Sequence, residues 1–199
     1  MSNLMQDVSR QILGGPPASP VGLGTLTHVN GGAINPAPNW MRAGSNGCVA
    51  GWFTPTATIA SLNRLFYFCS ADNTNTLDCY AEPGSNRWQW IMASNSTARA
   101  TCFINQTMPG NGITVGFALA WRPDRIIGAI GNTLGAGASL SDPSLNAKNL
   151  TIFTVGNRPD GTRQLAATFH ALEFFDYYPT ESFIQALAQR PLPSPITRA

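Results

Sequence analysis

Charged side chains are scarce in this chain, and their scarcity argues against several functions. Asp, Glu, Lys and Arg make up 11% of the 199 residues, against about 25% in an average soluble domain. Lys148 is the only lysine, so the net charge of +2 comes from scattered arginines. Nucleic-acid-binding proteins carry clustered Lys and Arg, and we therefore expect no nucleic acid among the partners.

The chain also lacks long apolar runs and metal-binding motifs. No run reaches the roughly 18 residues that a membrane-spanning helix needs, and the first residues lack the basic-then-apolar order of a signal peptide. We therefore expect no membrane partner. The cysteines lie in apolar segments without CxxC or Cys/His ligand spacing, at Cys48, Cys69, Cys79 and Cys102. This pattern favours buried thiols made in a reducing cytoplasm over a zinc site or disulfides.

The chain has few carboxylates that could take part in catalysis. The chain has three glutamates, Glu82, Glu173 and Glu181, whereas a glycosidase needs two carboxylates about 5–9.5 Å apart across the scissile bond. Glu173 and Asp176 come nearest in sequence, but residues i and i+3 of a strand point to opposite faces. We therefore predict no catalytic residue and no enzyme activity. Glycoside hydrolysis is the least favoured alternative, with Glu173 as the residue to test.

Short apolar segments separated by Pro, Gly and Asn are abundant. They predict about ten strands joined by turns, among them Pro83-Gly84 and Pro159-Asp160-Gly161. Within one segment Trp88, Trp90 and Met92 share a face. The segments with this pattern are 47–55, 64–70, 77–82, 88–94, 99–105, 113–121, 125–131, 150–156 and 165–176. The pattern predicts an all-β sandwich of two antiparallel sheets.

The last predicted strand is followed by a segment that predicts a short helix. Strict alternation places His170, Leu172 and Phe174 on one face and Glu173 on the other. Thr180 is suited to cap a short helix whose apolar side holds Phe183, Ile184 and Leu187. We expect this strand to be central in its sheet and the helix to fold against the sheet edge.

The two ends of the chain differ from its middle. We interpret residues 1–38 as an N-terminal arm for anchoring or contact between subunits. Residues 39–190 are interpreted as one domain, and residues 191–199 as an extended C-terminal tail. The arm begins with a short amphipathic segment and continues with many Gly, Pro and Asn residues. Its predicted partner-contact residues are Leu4, Val8, Ile12 and Leu13.

Two segments carry a family resemblance. The stretch Cys48-Val-Ala-Gly-Trp-Phe-Thr-Pro55 and the stretch from Phe169 to Ile184 resemble an early strand, and the final strand with its helix, of the concanavalin A-like jelly rolls, specifically the laminin G-like branch. The resemblance implies a two-sheet antiparallel jelly roll with a short C-terminal helix, here behind an extended N-terminal arm.

Laminin G-like domains often hold calcium through loop carboxylates, so the same resemblance makes Ca²⁺ the one cofactor to consider. The loop candidates are Asp72, Asp78, Asp142 and Asp160. A single loop Asp is more often a turn former, and the sequence brings no two of these together. We therefore expect no bound metal.

An apolar arm followed by one jelly roll of low charge resembles the small structural proteins of tailed bacteriophages. This resemblance implies a non-enzymatic virion protein, a capsid decoration, head fibre or tail-associated component. The expected partners are the major capsid or tail protein and further copies of the chain, and the expected location is the virion, after synthesis in the host bacterial cytoplasm. The alternative is a lectin-like module that binds a surface glycan for host attachment, using Trp40, Tyr177 and Tyr178, which could equally be interface aromatics.

Overall fold

The computed structural model describes residues 26–28, 32–34, 46–139, 150–175 and 177–192. Almost all regular structure in this part of the chain is β, and the one α-helix is α1 (Glu181–Gln189). The strands are β1 (Leu26–His28), β2 (Gly32–Ile34), β3 (Gly47–Pro55), β4 (Arg64–Ser70), β5 (Thr76–Glu82), β6 (Arg87–Ser94), β7 (Thr97–Ile104), β8 (Val115–Arg122), β9 (Arg125–Ile130), β10 (Thr133–Leu134), β11 (Ala138–Ser139), β12 (Leu150–Val155) and β13 (Ala167–Phe175). The predicted all-β class is confirmed.

The strands form two antiparallel sheets. The six-stranded sheet, called the front sheet, has the order β2-β12-β4-β5-β6-β7. The seven-stranded back sheet has the order β1-β13-β3-β8-β9-β10, with β11 also paired to β9. β13 lies between β1 and β3, so it is an interior strand, but it is second from the sheet edge and not central as expected. The predicted jelly-roll sandwich with a short C-terminal helix is therefore the fold observed.

An aromatic core fills the space between the sheets. Trp88, Trp90 and Met92 alternate along β6 and are fully buried, as their shared parity predicted. The Trp90 indole N–H donates to the Ala120 carbonyl across the sandwich at 3.2 Å, so this ring links the two sheets. All four cysteines are buried free thiols, as expected.

An irregularity in β13 changes which of its side chains share a face. In β13 the register shifts between Phe169 and Ala171, so Phe169 and Leu172 both face the core although they are three residues apart. His170 lies at the irregularity and bonds to Thr54. The strict alternation that grouped His170 with Leu172 was therefore wrong, because a bulge inserts one unpaired residue.

Helix α1 lies on the outer face of the back sheet. Thr180 caps it as predicted, since its side-chain oxygen accepts from the Phe183 N–H at 3.3 Å. Ile184 and Leu187 are buried, and Phe183 packs at the margin. The helix does not fold against the sheet edge as expected, because small side chains on β3, β8 and β9 leave room for it on the face. These are Cys48, Ala50, Ala118, Ala120 and Ala129.

The predicted arm lies mostly outside the described residues, and so do Leu4, Val8, Ile12 and Leu13. The described segments within it, β1 and β2, pair with β13 and β12 and belong to the two sheets. In the described part of the chain no helix has the length and apolar character needed to cross a bilayer. The role of the arm stays a prediction.

Substitution of Gly116 tests the close packing of α1 on the back sheet. A Cβ placed on Gly116 would lie 2.3 Å from the Ala188 carbonyl oxygen of α1, whereas one on Gly84 meets nothing within 4 Å. We expect Gly116→Ala to lower the free energy of unfolding by about 1–3 kcal/mol through overpacking. Gly84→Ala should change it by less than about 0.5 kcal/mol. Urea titration followed by tryptophan fluorescence measures both, and equal stability of the two variants would contradict the packing described.

Candidate binding groove on the front sheet

The outer face of the front sheet carries a groove of about 360 Å³. α1 packs on the other sheet, so this face is not covered by the helix. Alternation along β4, β5 and β6 sends the core aromatics inward and a mixed set of polar and aromatic side chains outward. The lining includes Arg64, Tyr67, Asn73, Asp78, Tyr80, Ile91 and Arg158.

Cross-strand pairing arranges the outward side chains in two adjacent rows. One row runs across four strands through Tyr67, Asp78, Ile91 and Thr101. The second row runs in parallel through Arg64, Tyr80, Gln89 and Phe103. A register shift between Arg64 and Phe66 makes Leu65 the extra residue, and this bulge puts Arg64 on the same face as Tyr67.

An ion pair lies at the floor of the groove. Arg64 Nε is 2.8 Å from Asp78 Oδ1, and the two residues are only 5% and 7% exposed. Burial raises the pKa of Asp78 to about 7, against the opposing effect of the Arg64 charge. Burial also lowers the pKa of Arg64, although Asp78 favours its charged form. The two charges are therefore held with little water at the base of an open groove.

Aromatic rings and guanidinium groups alternate along the groove. The Arg64 guanidinium lies 4.3 Å from the Tyr80 ring centroid and that of Arg158 lies 5.7 Å from the Tyr67 ring. The Tyr67 hydroxyl donates to Asn73 Oδ1 at 2.6 Å, and the Tyr80 hydroxyl donates to Gln89 Oε1 at 2.8 Å. Because each tyrosine is held by a cation on its face and an amide at its hydroxyl, the groove is a fixed surface.

Several polar atoms in the groove have hydrogen-bonding capacity left over. Arg64 Nε and Asp78 Oδ1 are buried and pair with each other at 2.8 Å, whereas Arg158 Nε is a buried atom without a hydrogen-bond partner among the described residues. Buried polar atoms are nearly always satisfied in proteins, so water is the expected partner of Arg158 Nε. The half-buried Arg158 and the exposed Asn73 present further polar groups to the groove. The groove can therefore bind a polar molecule through directed hydrogen bonds.

The groove does not bring two free carboxylates together for acid–base catalysis among the described residues. Asp78 is the one carboxylate among the residues lining the groove, and Glu82 is engaged by Arg87 at 2.5 Å and by Gln89 at 2.7 Å. Glu173 lies on the back sheet, where Arg190 pairs with it at 2.5 Å. Asp176, its expected neighbour, falls outside the described residues.

The acidic loop residues act in turns. Asp72 Oδ1 accepts from the Ser70 hydroxyl at 2.5 Å and from the Thr74 hydroxyl at 2.9 Å. Asp160 Oδ1 likewise accepts from the Thr162 hydroxyl at 2.7 Å, and Asp142 lies outside the described residues. Within the part of the chain that the structure describes, no three His, Cys, Asp or Glu side chains converge as metal ligands. The described carboxylates thus offer Ca²⁺ no shared donor set.

The aromatics singled out from the sequence lie elsewhere. Tyr177 and Tyr178 pack beside α1, with the Arg122 guanidinium 4.9 Å from the Tyr178 ring and the Phe175 ring 5.8 Å from that of Tyr177. Trp40 lies outside the described residues. The structure therefore does not bring the two tyrosines to the groove, and their role in glycan or partner contact stays a prediction.

Sequence reasoning missed the groove residues except Asp78, which it wrongly placed in a loop as a Ca²⁺ candidate and which lies within β5. One signal of the groove was present. Asp78 and Tyr80 alternate with the apolar Leu77, Cys79 and Ala81 along β5, which marks an outward polar face. Arg64 could not be assigned to that face from spacing, because the bulge at Leu65 changes its parity.

Comparison with known proteins identifies the fold. No protein-family model matches the chain, and no curated protein matches it. The Ruminococcus gnavus IT-sialidase CBM40 bound to α2,3-sialyllactose superposes with a TM-score of 0.66 at 8% identity, covering 84% of this chain and 98% of that one. Domain 4 of the Geobacillus stearothermophilus arabinanase AbnA, in complex with arabinotriose, has a TM-score of 0.58 at 13% identity, covering 88% and 82%.

The LG1–3 region of the laminin α2 chain is a third structural neighbour. Its TM-score is 0.58 at 12% identity, with 80% of this chain and 32% of that chain covered. At these identities the likeness concerns the fold. The chain has the jelly-roll sandwich of the concanavalin A-like and laminin G-like domains, as its two sequence segments implied.

The pKa of Asp78 predicts how stability depends on pH. Burial raises this pKa from 3.8 to about 7, so the folded protein holds the proton more tightly than the unfolded chain does. The free energy of unfolding should therefore fall as the pH rises from about 4 to about 7. In Asp78→Asn this part of the fall should be absent, because the amide does not titrate. Urea titrations across that range measure the slope.

Asp160→Asn is the control. Hydrogen bonds from Thr162 lower the pKa of Asp160, so its titration lies below the range tested and the wild-type slope should persist. An unchanged slope in Asp78→Asn would show that other groups cause the dependence.

Proposed function

We propose that this protein is a non-catalytic carbohydrate-binding module whose ligand lies in the groove on the front sheet. The observation that carries the proposal is the pair of cross-strand rows, in which tyrosine rings adjoin guanidinium, amide and carboxylate groups. A sugar needs both kinds of surface, since its ring presents C–H groups on one side and hydroxyls around its rim.

The groove supplies the two kinds of contact in separate places. Tyr80 and Ile91 are both half-buried, and Ile91 lies diagonally across from Tyr80 on the next strand, so together they offer the apolar surface for a sugar ring. Arg158 and Asn73 stand at the rim, where the half-buried guanidinium and the exposed amide can donate hydrogen bonds to a ligand. Hydrogen bonds to a charged group are stronger than those between neutral groups, so Arg158 is expected to contribute most to affinity.

The structural neighbours support this choice of ligand class. A carbohydrate-binding module bound to sialyllactose and an arabinanase domain in complex with arabinotriose share the sandwich. Their sequence identity to this chain is so low that the similarity supports only a shared fold. The ligand class is therefore argued from the residues of the groove. The comparisons give no support to the virion role expected from the sequence. The virion role of the protein, with residues 1–38 as its anchoring arm, stays a prediction and is compatible with glycan binding in host attachment.

A glycan array followed by calorimetry with the strongest ligand tests the proposal. Arg158→Gln should weaken binding by about 10- to 100-fold, because a hydrogen bond to a charged group contributes about 1.5–3 kcal/mol. Arg122→Gln is the matched control, since Arg122 also lies over a tyrosine ring, that of Tyr178, but on the other sheet. Binding that is lost in Arg122→Gln and kept in Arg158→Gln would contradict the proposed site.

The non-catalytic part of the proposal has its own test. After prolonged incubation with the protein, the array ligand should be recovered intact by mass spectrometry. Cleavage that persists in a second preparation and disappears in Glu173→Gln would instead support a glycosidase with its site on the back sheet.

A further inference from the structure

A second cleft of about 360 Å³ lies on the opposite side of the sandwich, where α1 ends. The helix covers the part of the back sheet that carries alanines and stops before Trp52 and Thr114. Its last residues and the exit segment to Leu192 form one wall of the cleft. The opposite wall comes from Gln106 and Asn132, beside β7 and β9.

Trp52, Arg190 and Glu173 interact at the floor of this cleft, and the charges of Arg190 and Glu173 are paired. The Trp52 indole N–H donates to the Arg190 carbonyl at 2.9 Å. The Arg190 guanidinium lies 5.0 Å from the Trp52 ring and pairs with Glu173 through two nitrogens. The helix end is therefore fixed to the sheet, and the cleft offers no unpaired charge from these residues.

Amide and hydroxyl groups provide the polar lining. Gln106 Oε1 accepts from the Thr133 hydroxyl at 2.7 Å, which leaves its amide nitrogen to donate. Asn132 and Gln189 are exposed and make no side-chain hydrogen bond to another described residue. The Thr114 hydroxyl is held by Thr54 at 2.7 Å. An amide both donates and accepts, as a sugar hydroxyl does.

We propose that this cleft is a second binding site, specific for a neutral, polyhydroxylated ligand such as a single hexose unit. The three amides would pair with hydroxyls around the ring, and the exposed side chain of Leu192 would meet its apolar side. The front groove is lined by charged residues, whereas this cleft presents neutral groups, so the two sites would recognise different parts of a glycan or different glycans. The inference uses none of the residues on which the proposed function depends.

NMR titration of the full ¹⁵N-labelled chain with the methyl glycosides of glucose, galactose and mannose tests the site. At least one glycoside should shift the side-chain amide signals of Gln106, Asn132 and Gln189 and the Trp52 indole signal in a saturable way. Asn132→Ala and Gln189→Ala alter exposed residues, and each should weaken binding about fivefold through loss of one hydrogen bond.

Arg158→Gln is the control, because it alters the front groove and should leave these shifts unchanged. The absence of saturable shifts with all three glycosides would overturn the second site, and so would shifts that both alanine variants leave intact. Loss of array binding in Arg158→Gln would still support the front groove, so the two proposals fail separately.

Discussion

The packing of α1 on small side chains of the back sheet decides which surfaces of this sandwich can bind a ligand. Ala118, Ala120 and Gly116 bring the helix so close that a single methyl group at Gly116 would meet the helix backbone. A jelly roll has two outer faces, and a short helix can cover only part of one. The front sheet is therefore the broad surface left available, and the uncovered end of the back sheet is the smaller one.

The buried pair of Arg64 and Asp78 fits a binding surface better than a stabilising role. Removing two charges from water costs free energy that their attraction repays only when their geometry and further hydrogen bonds are good. Here Arg64 Nε and Asp78 Oδ1 are 2.8 Å apart, and both atoms are buried beneath the groove surface. The pair therefore fixes the floor of the groove, and ligand contacts are expected from the rim residues Arg158 and Asn73. The bulge at Leu65 is essential to this arrangement because it turns Arg64 outward beside Tyr67.

Much of the fold could be predicted because it depends on local patterns. The alternation of Trp88, Trp90 and Met92 indicated the core face of β6, and Thr180 indicated the start of α1. The bulges at Leu65 and His170 could not be predicted, since they depend on pairing between distant strands. The same is true of the groove, whose rows are assembled from β4, β5, β6 and β7, and of the place of α1, which depends on alanines from three strands. Tyr177 and Tyr178 stood out because they end a strand, yet the structure places them beside the helix.

We propose that glycans bind on the face that the helix leaves open. A crystal structure of the protein with the strongest ligand from the array tests it most directly. The account predicts a sugar ring over Tyr80 and Ile91 with its hydroxyls bonded to Arg158 and Asn73. A sugar held instead between Tyr177, Tyr178 and α1, with the front groove filled by water alone, would contradict it.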